Sequence, residues 1–144
     1  MIRTVLAAGI VFGMTASAMA QHAIAPDQSL TPGAIATHDK ALICGRDAQG
    51  RTYSETHRVW RDQRATMRKY DISPAERRNY TDDDRVPVCL GGDNASPKNH
   101  WAEPWRDAER KDRIEDRMCH DVCDGRISLD AAQRYFLGGE WEQK

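Results

Sequence analysis

The first clear pattern along the chain is an apolar run close to its beginning. Arg3 precedes this run at positions 5–12, and the small residues at positions 16–20 end in Ala-Met-Ala. This order is typical of a secretory signal peptide, and the run is too short to span a membrane. We therefore predict that residues 1–20 are a signal peptide, that the mature protein is secreted or periplasmic, and that no membrane segment remains after cleavage.

The mature chain starts without a periodic pattern. Residues 21–40 are rich in Ala, Pro, Ser and Thr, a composition that predicts an extended arm lying over the domain. Residues 41–144 are the single predicted domain. For its first apolar residues, 42–44, we predict a short buried strand, and for residues 47–50 a turn.

Helical patterns cover most of the domain. Thr52 and Glu55 have the spacing of a capping box, which predicts a helix to about residue 70. Apolar residues spaced by four, at positions 114, 118 and 122, predict a long helix from about residue 107 to 123, ended by Gly125. A last helix is predicted over residues 129–137, and Trp141 is expected to pack back on the domain.

A strand is predicted between these helices. Val86, Val88 and Leu90 alternate with other residues, and the turn-forming residues 91–94 follow them. Taken together, the patterns predict a small α+β domain that is mainly helical.

The charge balance is close to neutral, because 21 lysines and arginines stand against 22 aspartates and glutamates. This balance excludes a generally basic nucleic-acid coat and a generally acidic disordered chain, but it leaves room for local patches. Arg58, Arg61, Arg64 and Arg68 form one such patch along one face of the predicted helix. A solvated cationic face explains them, and so does a phosphate-binding stripe.

Three consecutive carboxylates, Asp82, Asp83 and Asp84, form the opposite patch. Adjacent like charges repel each other unless a cation holds them, and that cation is either a divalent metal or the neighbouring arginines. The predicted turn would bring Asn99 or His100 back towards the triplet.

Short segments in a particular order surround this triplet. Asp83–Gly92 reads D-D-R-V-P-V-C-L-G-G, Asn99–Trp105 reads N-H-W-A-E-P-W, and Ala108–Glu115 carries A-x-x-K-D-x-x-E. With Val122–Gly125 (V-C-D-G) downstream, these segments resemble those of small exported bacterial proteins of the HNH endonuclease superfamily. The resemblance covers roughly residues 30–141.

The resemblance implies a ββα-metal core, in which two short strands around the Gly91-Gly92 turn and a following helix grip one divalent cation, Mg, Mn, Ni or Zn. It implies hydrolysis of phosphodiester bonds in DNA, with a metal-bound residue at Asp83, a general base at position 84 and a loop fixed by Asn99. We therefore predict a metal site from Asp83, Asp84 and Asn99, and a catalytic set of Asp84, Asn99 and His100. Phosphates would be contacted by six cationic residues, Arg58, Arg61, Arg64, Arg68, Arg85 and Lys111.

The chain departs from the family at position 84, where Asp84 replaces the base histidine. A carboxylate has a lower ordinary pKa than an imidazole and is a poorer base near neutral pH, although beside a metal it becomes a further ligand. His100, where leucine is common in the family, is a candidate source of the missing imidazole. Three hypotheses therefore stand: an impaired HNH-like endonuclease, a degenerate module that binds metal and nucleic acid without cutting, and a disulfide-stapled envelope interaction protein.

The cysteines allow more than one arrangement. The chain has four cysteines, which permit three disulfide pairings or a four-thiolate zinc site: Cys44, Cys89, Cys119 and Cys123. Export favours disulfides, and two cysteines one helical turn apart, such as Cys119 and Cys123, rarely bridge. The family resemblance implies Cys44–Cys123, which are the usual positions, and leaves Cys89–Cys119 as the second bridge.

Overall fold

The structure is a computed structural model that describes residues 25–143. The predicted signal peptide, residues 1–20, lies outside the described residues. Among residues 25–143, no helix is both long enough and apolar enough to cross a membrane.

Five α-helices and one two-stranded sheet make up the main regular structure of residues 25–143, which confirms a mainly helical α+β fold. The helices are α1 (Lys40–Cys44), α2 (Tyr53–His57), α3 (Gln63–Lys69), α4 (Trp105–Cys123) and α5 (Leu129–Gly138), and the strands are β1 (Tyr80–Asp84) and β2 (His100–Pro104). Short 3-10 helices lie at Arg77–Asn79, Val88–Leu90 and Glu140–Gln143. The order from β1 to α4 is therefore strand, strand, helix.

The sheet presents its two faces to different parts of the chain. Strands β1 and β2 pair antiparallel, with Asp84 opposite His100. Side chains alternate between the faces of a strand, so Asp82 and Asp84 lie on one face and Asp83 lies on the other. Helices α3 and α4 both contact the sheet. As a result, neighbouring aspartates of β1 meet different partners.

The main apolar core lies between α4, α5 and the loop that connects the strands. Leu90, Trp101, Val122, Phe136 and Trp141 are fully buried there. The ring centroids of Trp101 and Trp141 are 5.6 Å apart, which confirms that Trp141 packs back on the domain. A smaller core under α3 joins Met67 and Ile72 to the sheet.

The two C-terminal helices match their sequence prediction. Gly125, with a left-handed φ of 77°, follows the end of α4. The Ser128 side chain accepts a hydrogen bond from the first turn of α5, and Ala132 and Phe136 share the buried face of that helix. Caps and apolar spacing act within one helix, so local sequence is sufficient to predict them.

The helix predicted from Thr52 to about residue 70 is interrupted in the middle. The capping box at its start is present, but a non-helical segment, residues 58–62, separates α2 from α3. The Val59 N–H donates to Asn94 Oδ1 at 2.7 Å, and the Asp62 side chain caps α3. These side chains take backbone donors that a continuous helix would use, so the single helix is wrong and two short ones form.

Both strands predicted from apolar patterns are also wrong. Residues 42–44 belong to α1, because the Asp39 side chain accepts hydrogen bonds from two N–H groups at the start of that helix. Residues 86–90 are mostly buried and hold a 3-10 helix over Val88–Leu90, with Pro87 before it and a left-handed Gly91 after it. The strand that forms here is β1, which contains the three aspartates. Cationic side chains from other elements pair with these aspartates.

Residues 25–39 run along the loop between the strands. Ile35 forms a β-bridge with Gly92, and the Ala36 N–H donates to the Gly91 carbonyl oxygen at 2.8 Å. A Cβ atom at Gly92 would lie 1.9 Å from the Val86 carbonyl oxygen. This close approach explains why glycine stands at that position.

Both predicted disulfides are confirmed. Cys44 is bonded to Cys123 and Cys89 to Cys119, with Cα separations of 5.4 and 5.9 Å. The zinc alternative is therefore wrong, because all four sulfur atoms are in disulfides. Both bridges end on α4, and they tie α1 and the loop between the strands to that helix.

Replacing Cys44 and Cys123 together by serine is expected to lower the free energy of unfolding by about 4 kcal/mol. The bridge joins residues 79 positions apart and so restricts a long loop of the unfolded chain. The matched variant without Cys89 and Cys119, which are 30 positions apart, is expected to lose about 1 kcal/mol less. Urea unfolding of both variants measures this, and a larger loss for the second variant would contradict the loop-entropy explanation.

Candidate functional site

The side of the molecule that carries β1 opens into a groove of about 1270 Å³. The three aspartates of β1 line this groove. So do the four arginines of the predicted basic patch: Arg58, Arg61, Arg64 and Arg68. The acidic and basic patches of the sequence thus share one surface.

Asp84 is held by three donors on the buried side of the groove. Arg61 Nη1 and Asn94 Nδ2 donate to its two carboxylate oxygens, each at 2.9 Å, and Asn99 Nδ2 donates at 3.3 Å. Burial and the neighbouring Asp83 raise the pKa of Asp84, while Arg61 acts in the opposite direction. The carboxylate at the family's base position is therefore fully engaged in contacts within the protein.

Asn99 fixes the loop between the two strands. It is fully buried, and its Oδ1 accepts from the Val86 N–H at 3.0 Å and from the Ala34 N–H at 3.3 Å. Its Nδ2 also donates to the Val86 carbonyl oxygen at 2.9 Å. The amide oxygen is thus occupied by backbone donors, and the residue joins the loop to the N-terminal segment.

His100 lies on the same face of the sheet as Asp84 but is directed to a different acceptor. Its Nε2 is 2.9 Å from the Asn94 carbonyl oxygen and 3.8 Å from Asp84 Oδ1. A ring nitrogen bonded to a carbonyl oxygen carries its proton. In this arrangement Nε2 therefore donates a hydrogen bond and does not accept a proton.

Arg61 is the cation that serves both aspartates on this face. Besides its bond to Asp84, its Nη2 donates to the Asp82 carbonyl oxygen at 3.0 Å, and its Nε lies 3.5 Å from Asp82 Oδ2. The Asp82 side chain is completely buried. Neither Asp82 carboxylate oxygen accepts a hydrogen bond from residues 25–143, so the single charge of Arg61 is shared between two buried carboxylates.

The opposite face of β1 contains a second charge cluster, centred on Lys111. Its side chain is completely buried, and its ammonium group donates to the carboxylates of Asp83 and Glu115 and, at 2.8 Å, to the Asp84 carbonyl oxygen. Glu103 is fully buried beside the cluster, and its carboxyl group is placed to donate a hydrogen bond to the Asp83 carboxylate when it holds a proton. One ammonium group thus faces three acidic groups.

The excess of carboxylates decides how this cluster is protonated. Burial, the adjacent Asp83 and Glu115 raise the pKa of Glu103 to about 10. Burial and Asp83 also raise the pKa of Glu115, to about 8. Burial opposes the charged forms of Lys111 and Asp83 too, but their mutual attraction prevails, so the pKa of Lys111 is raised and that of Asp83 is lowered. Lys111 and Asp83 are therefore the charged pair, and Glu103 holds a proton at neutral pH.

Two of the six predicted phosphate contacts have structural roles instead. Lys111 is buried in the cluster just described. Arg85 is 3% exposed, and its guanidinium donates to the carbonyl oxygens of Thr31 and Leu137 at 2.7 and 2.5 Å. Neither cation reaches the groove, because both donate their hydrogen bonds to acceptors in the interior of the domain.

The four remaining arginines reach the groove from different segments. Arg58 and Arg61 lie in the 58–62 segment, and Arg64 and Arg68 lie on α3. Arg58 and Arg64 have no ion-pair partner within residues 25–143, and Arg68 makes an exposed contact of 3.5 Å with Asp62. Such exposed pairs are weak, so three guanidinium groups remain accessible to an anion.

The predicted divalent cation does not fit the side chains in this arrangement. Asp83 and Asp84 point to opposite faces of β1, and the Asn99 amide oxygen is occupied. No group of three or more His, Cys, Asp or Glu side chains in the described part of the chain is placed to hold a metal. Lys111 and Arg61 stand where positive charge was expected, and the metal site stays a prediction.

The sequence interpretation missed several residues of the site. Asn94 was assigned to a turn, although its side chain holds both Asp84 and the 58–62 segment. Glu103 and Glu115 stand in the resemblance motifs but were given no role. Trp60 lies inside the single helix predicted to about residue 70, yet it is 90% exposed. The interruption at residues 58–62 explains this exposure, because an interrupted helix no longer presents its apolar residues to the core.

Comparison with known proteins adds no assignment. No protein-family model matches the chain, and no curated protein and no solved structure matches it either. The resemblance to HNH endonucleases therefore remains a prediction from the sequence motifs.

Stability is expected to fall as the pH rises from 5 to 8. In this range the folded protein keeps protons on Glu103 and Glu115 that the unfolded chain releases near the ordinary value of 4.5. The contribution of these two protons to the free energy of unfolding is thus complete below pH 4.5. It is lost as the pH rises towards the raised pKa values, at up to about 1.4 kcal/mol per pH unit for each proton. Chemical unfolding at several pH values measures the slope.

The Glu103→Gln variant is expected to flatten this slope, because the amide keeps the neutral form at every pH. Glu109→Gln is the matched control, since Glu109 lies on α4 with an 85% exposed side chain. A Glu103→Gln slope equal to that of the wild type would show that Glu103 does not hold a proton in the folded state.

Proposed function

We propose that the protein binds nucleic acid in the groove beside β1, and that its capacity for hydrolysis is lost or strongly reduced. The strand, strand, helix order from β1 to α4 supports this proposal, as does the resemblance of the surrounding motifs to HNH endonucleases. The protein would then be a degenerate relative of such nucleases that keeps a binding surface for phosphates.

One observation carries the proposal, namely that arginines from separate segments line the same groove. Arg58, Arg64 and Arg68 are exposed there, while Arg61 pairs with Asp82 and Asp84. Guanidinium groups bind phosphate oxygens through paired hydrogen bonds. Five aspartates also line the groove, and Arg61 and Lys111 pair with three of them. A backbone of phosphates is the kind of ligand that fits the accessible arginines.

The environment of position 84 supports a loss of hydrolysis. Asp84 is engaged by three donors, and His100 directs Nε2 to a carbonyl oxygen. The Asp84 carboxylate and the Nε2 nitrogen of His100 are therefore both engaged within the protein, which disfavours either as the base that takes a proton from water. Since a positioned general base contributes about 10²–10⁴-fold to a rate, its loss leaves a weak catalyst.

Replacing Arg58 and Arg64 together by alanine is expected to weaken DNA binding and to reduce the slope of log K against log salt by about 2, because two phosphate contacts are lost. Fluorescence anisotropy at several salt concentrations measures both effects. Arg134→Ala is the matched control, since Arg134 is exposed on α5 and does not line the groove. An equal loss in the control would show that binding does not use the groove.

A weak endonuclease is the second candidate, and the raised pKa of Asp84 favours it. Burial and Asp83 bring this carboxyl closer to the range in which a base works at neutral pH. In this case the binding surface would be the same and only the catalytic outcome would differ.

Plasmid nicking separates the two candidates. Wild-type protein is expected to leave supercoiled plasmid intact with Mg, Mn, Ni or Zn, because no base is poised at position 84. Nicking by the wild type that is absent in Asp83→Ala and Asp84→Asn would establish the endonuclease instead. Nicking by Asp84→His alone would support descent from a nuclease, and a protein that neither cuts nor binds DNA would favour the envelope interaction protein.

A further inference from the structure

Trp60 is the most exposed large apolar residue of the described chain. It is 90% exposed, whereas Trp101 and Trp141 are fully buried. It stands between the arginines of the groove, in the segment 58–62. An aromatic ring presented beside cations is a feature of surfaces that bind single-stranded nucleic acid.

The backbone that carries Trp60 is anchored on both sides. On one side, the Val59 N–H donates to Asn94 Oδ1 at 2.7 Å. On the other, the Arg61 guanidinium is bonded to Asp84 at 2.9 Å. Since Asn94 and Asp84 are also bonded to each other, one network holds the backbone of Val59 and the side chain of Arg61, the two neighbours of Trp60. The ring is therefore presented from a fixed position.

The Trp60 ring borders two depressions of different character. On one side lies the groove with Arg58, Arg64 and Arg68. On the other lies a smaller depression of about 250 Å³, whose lining combines Ala65 and Pro97 with charged residues such as Lys69. Positive charge thus lies beside an exposed aromatic ring and a small depression of mixed polarity.

We propose that Trp60 is a stacking platform for an unpaired base of single-stranded nucleic acid, whose phosphates lie on the arginines of the groove. This inference rests on the proposed function and names its substrate class. A duplex keeps its bases stacked inside, where an indole ring cannot reach their faces. A single strand offers charged phosphates and flat bases in alternation, and stacking on an aromatic ring accepts any base.

A membrane surface is the main rival ligand, because tryptophan and arginine also occur together at lipid headgroups. The carboxylates of Asp62 and Asp112 in the same groove oppose anionic lipids and phosphates alike, so they do not separate the two ligands. The ring borders concave surfaces, whereas an interfacial helix presents a continuous apolar face. The geometry therefore favours a flexible polyanion with rings over a lipid surface.

Tryptophan fluorescence of the disulfide-intact protein tests the proposal. In a Trp105→Phe background, Trp60 is the remaining exposed tryptophan of the described chain, because the other two are buried. Oligothymidylate is expected to quench its emission, and a duplex of equal charge is expected to leave it unchanged. The control with Trp60→Phe, in the same background, is expected to lose the quenching signal while still binding.

Affinity measured by anisotropy provides the second readout. Trp60→Ala is expected to weaken oligothymidylate binding roughly tenfold, to leave duplex binding and the salt slope unchanged, and to be largely rescued by Trp60→Phe. Equal affinity of Trp60→Ala and wild type for the single strand overturns the stacking proposal. If Arg58→Ala/Arg64→Ala still weakens binding in that case, the proposed function stands without it.

Two further outcomes overturn the proposal in other ways. Absence of binding to either form of DNA at low salt removes the proposed function as well. A blue shift of Trp60 emission with vesicles containing phosphatidylserine, without quenching by oligothymidylate, assigns the ring to a membrane surface instead.

Discussion

The centre of this protein depends on the compensation of three consecutive carboxylates in one strand. Alternation along β1 sends Asp83 to one face and Asp82 and Asp84 to the other, so a single cation cannot serve all three. Lys111 takes one face and Arg61 takes the other. A buried carboxylate without a partner would cost several kcal/mol, and the positions of α4 and of the 58–62 segment relative to the sheet are set by these contacts.

The same compensation connects the structure to its proposed activity. Because Arg61 pairs with Asp82 and Asp84, the more exposed arginines and Trp60 are left for the proposed ligand. Because Asp84 is bonded to Arg61, Asn94 and Asn99, it holds the binding segment in place but is not set up as a base. One network therefore supports the proposed binding surface and disfavours hydrolysis.

The sequence predictions succeeded where the cause is local and failed where it is distant. The caps of α2 and α5, the end of α4 and the α+β class follow from neighbouring residues. The break at residues 58–62 depends on Asn94, which lies 35 positions away from Val59, and no periodicity within the helix reports it. The acidic β1 strand was missed for a related reason, since its stability comes from Lys111 and Arg61, and apolar alternation marked a neighbouring segment instead.

By itself, the sequence determined the helices of the C-terminal half and the presence of opposed charge patches, because periodicity, caps and charge are properties of adjacent residues. The motif resemblance added the cysteine pairing. Only the tertiary structure decided which cations reach solvent. In the sequence, Arg85 and Lys111 are not distinguishable from the groove arginines. In the structure both are buried and donate to buried acceptors, because burial depends on what packs around a side chain. Trp60 is exposed for the same reason: contacts from distant residues turned its segment away from the core.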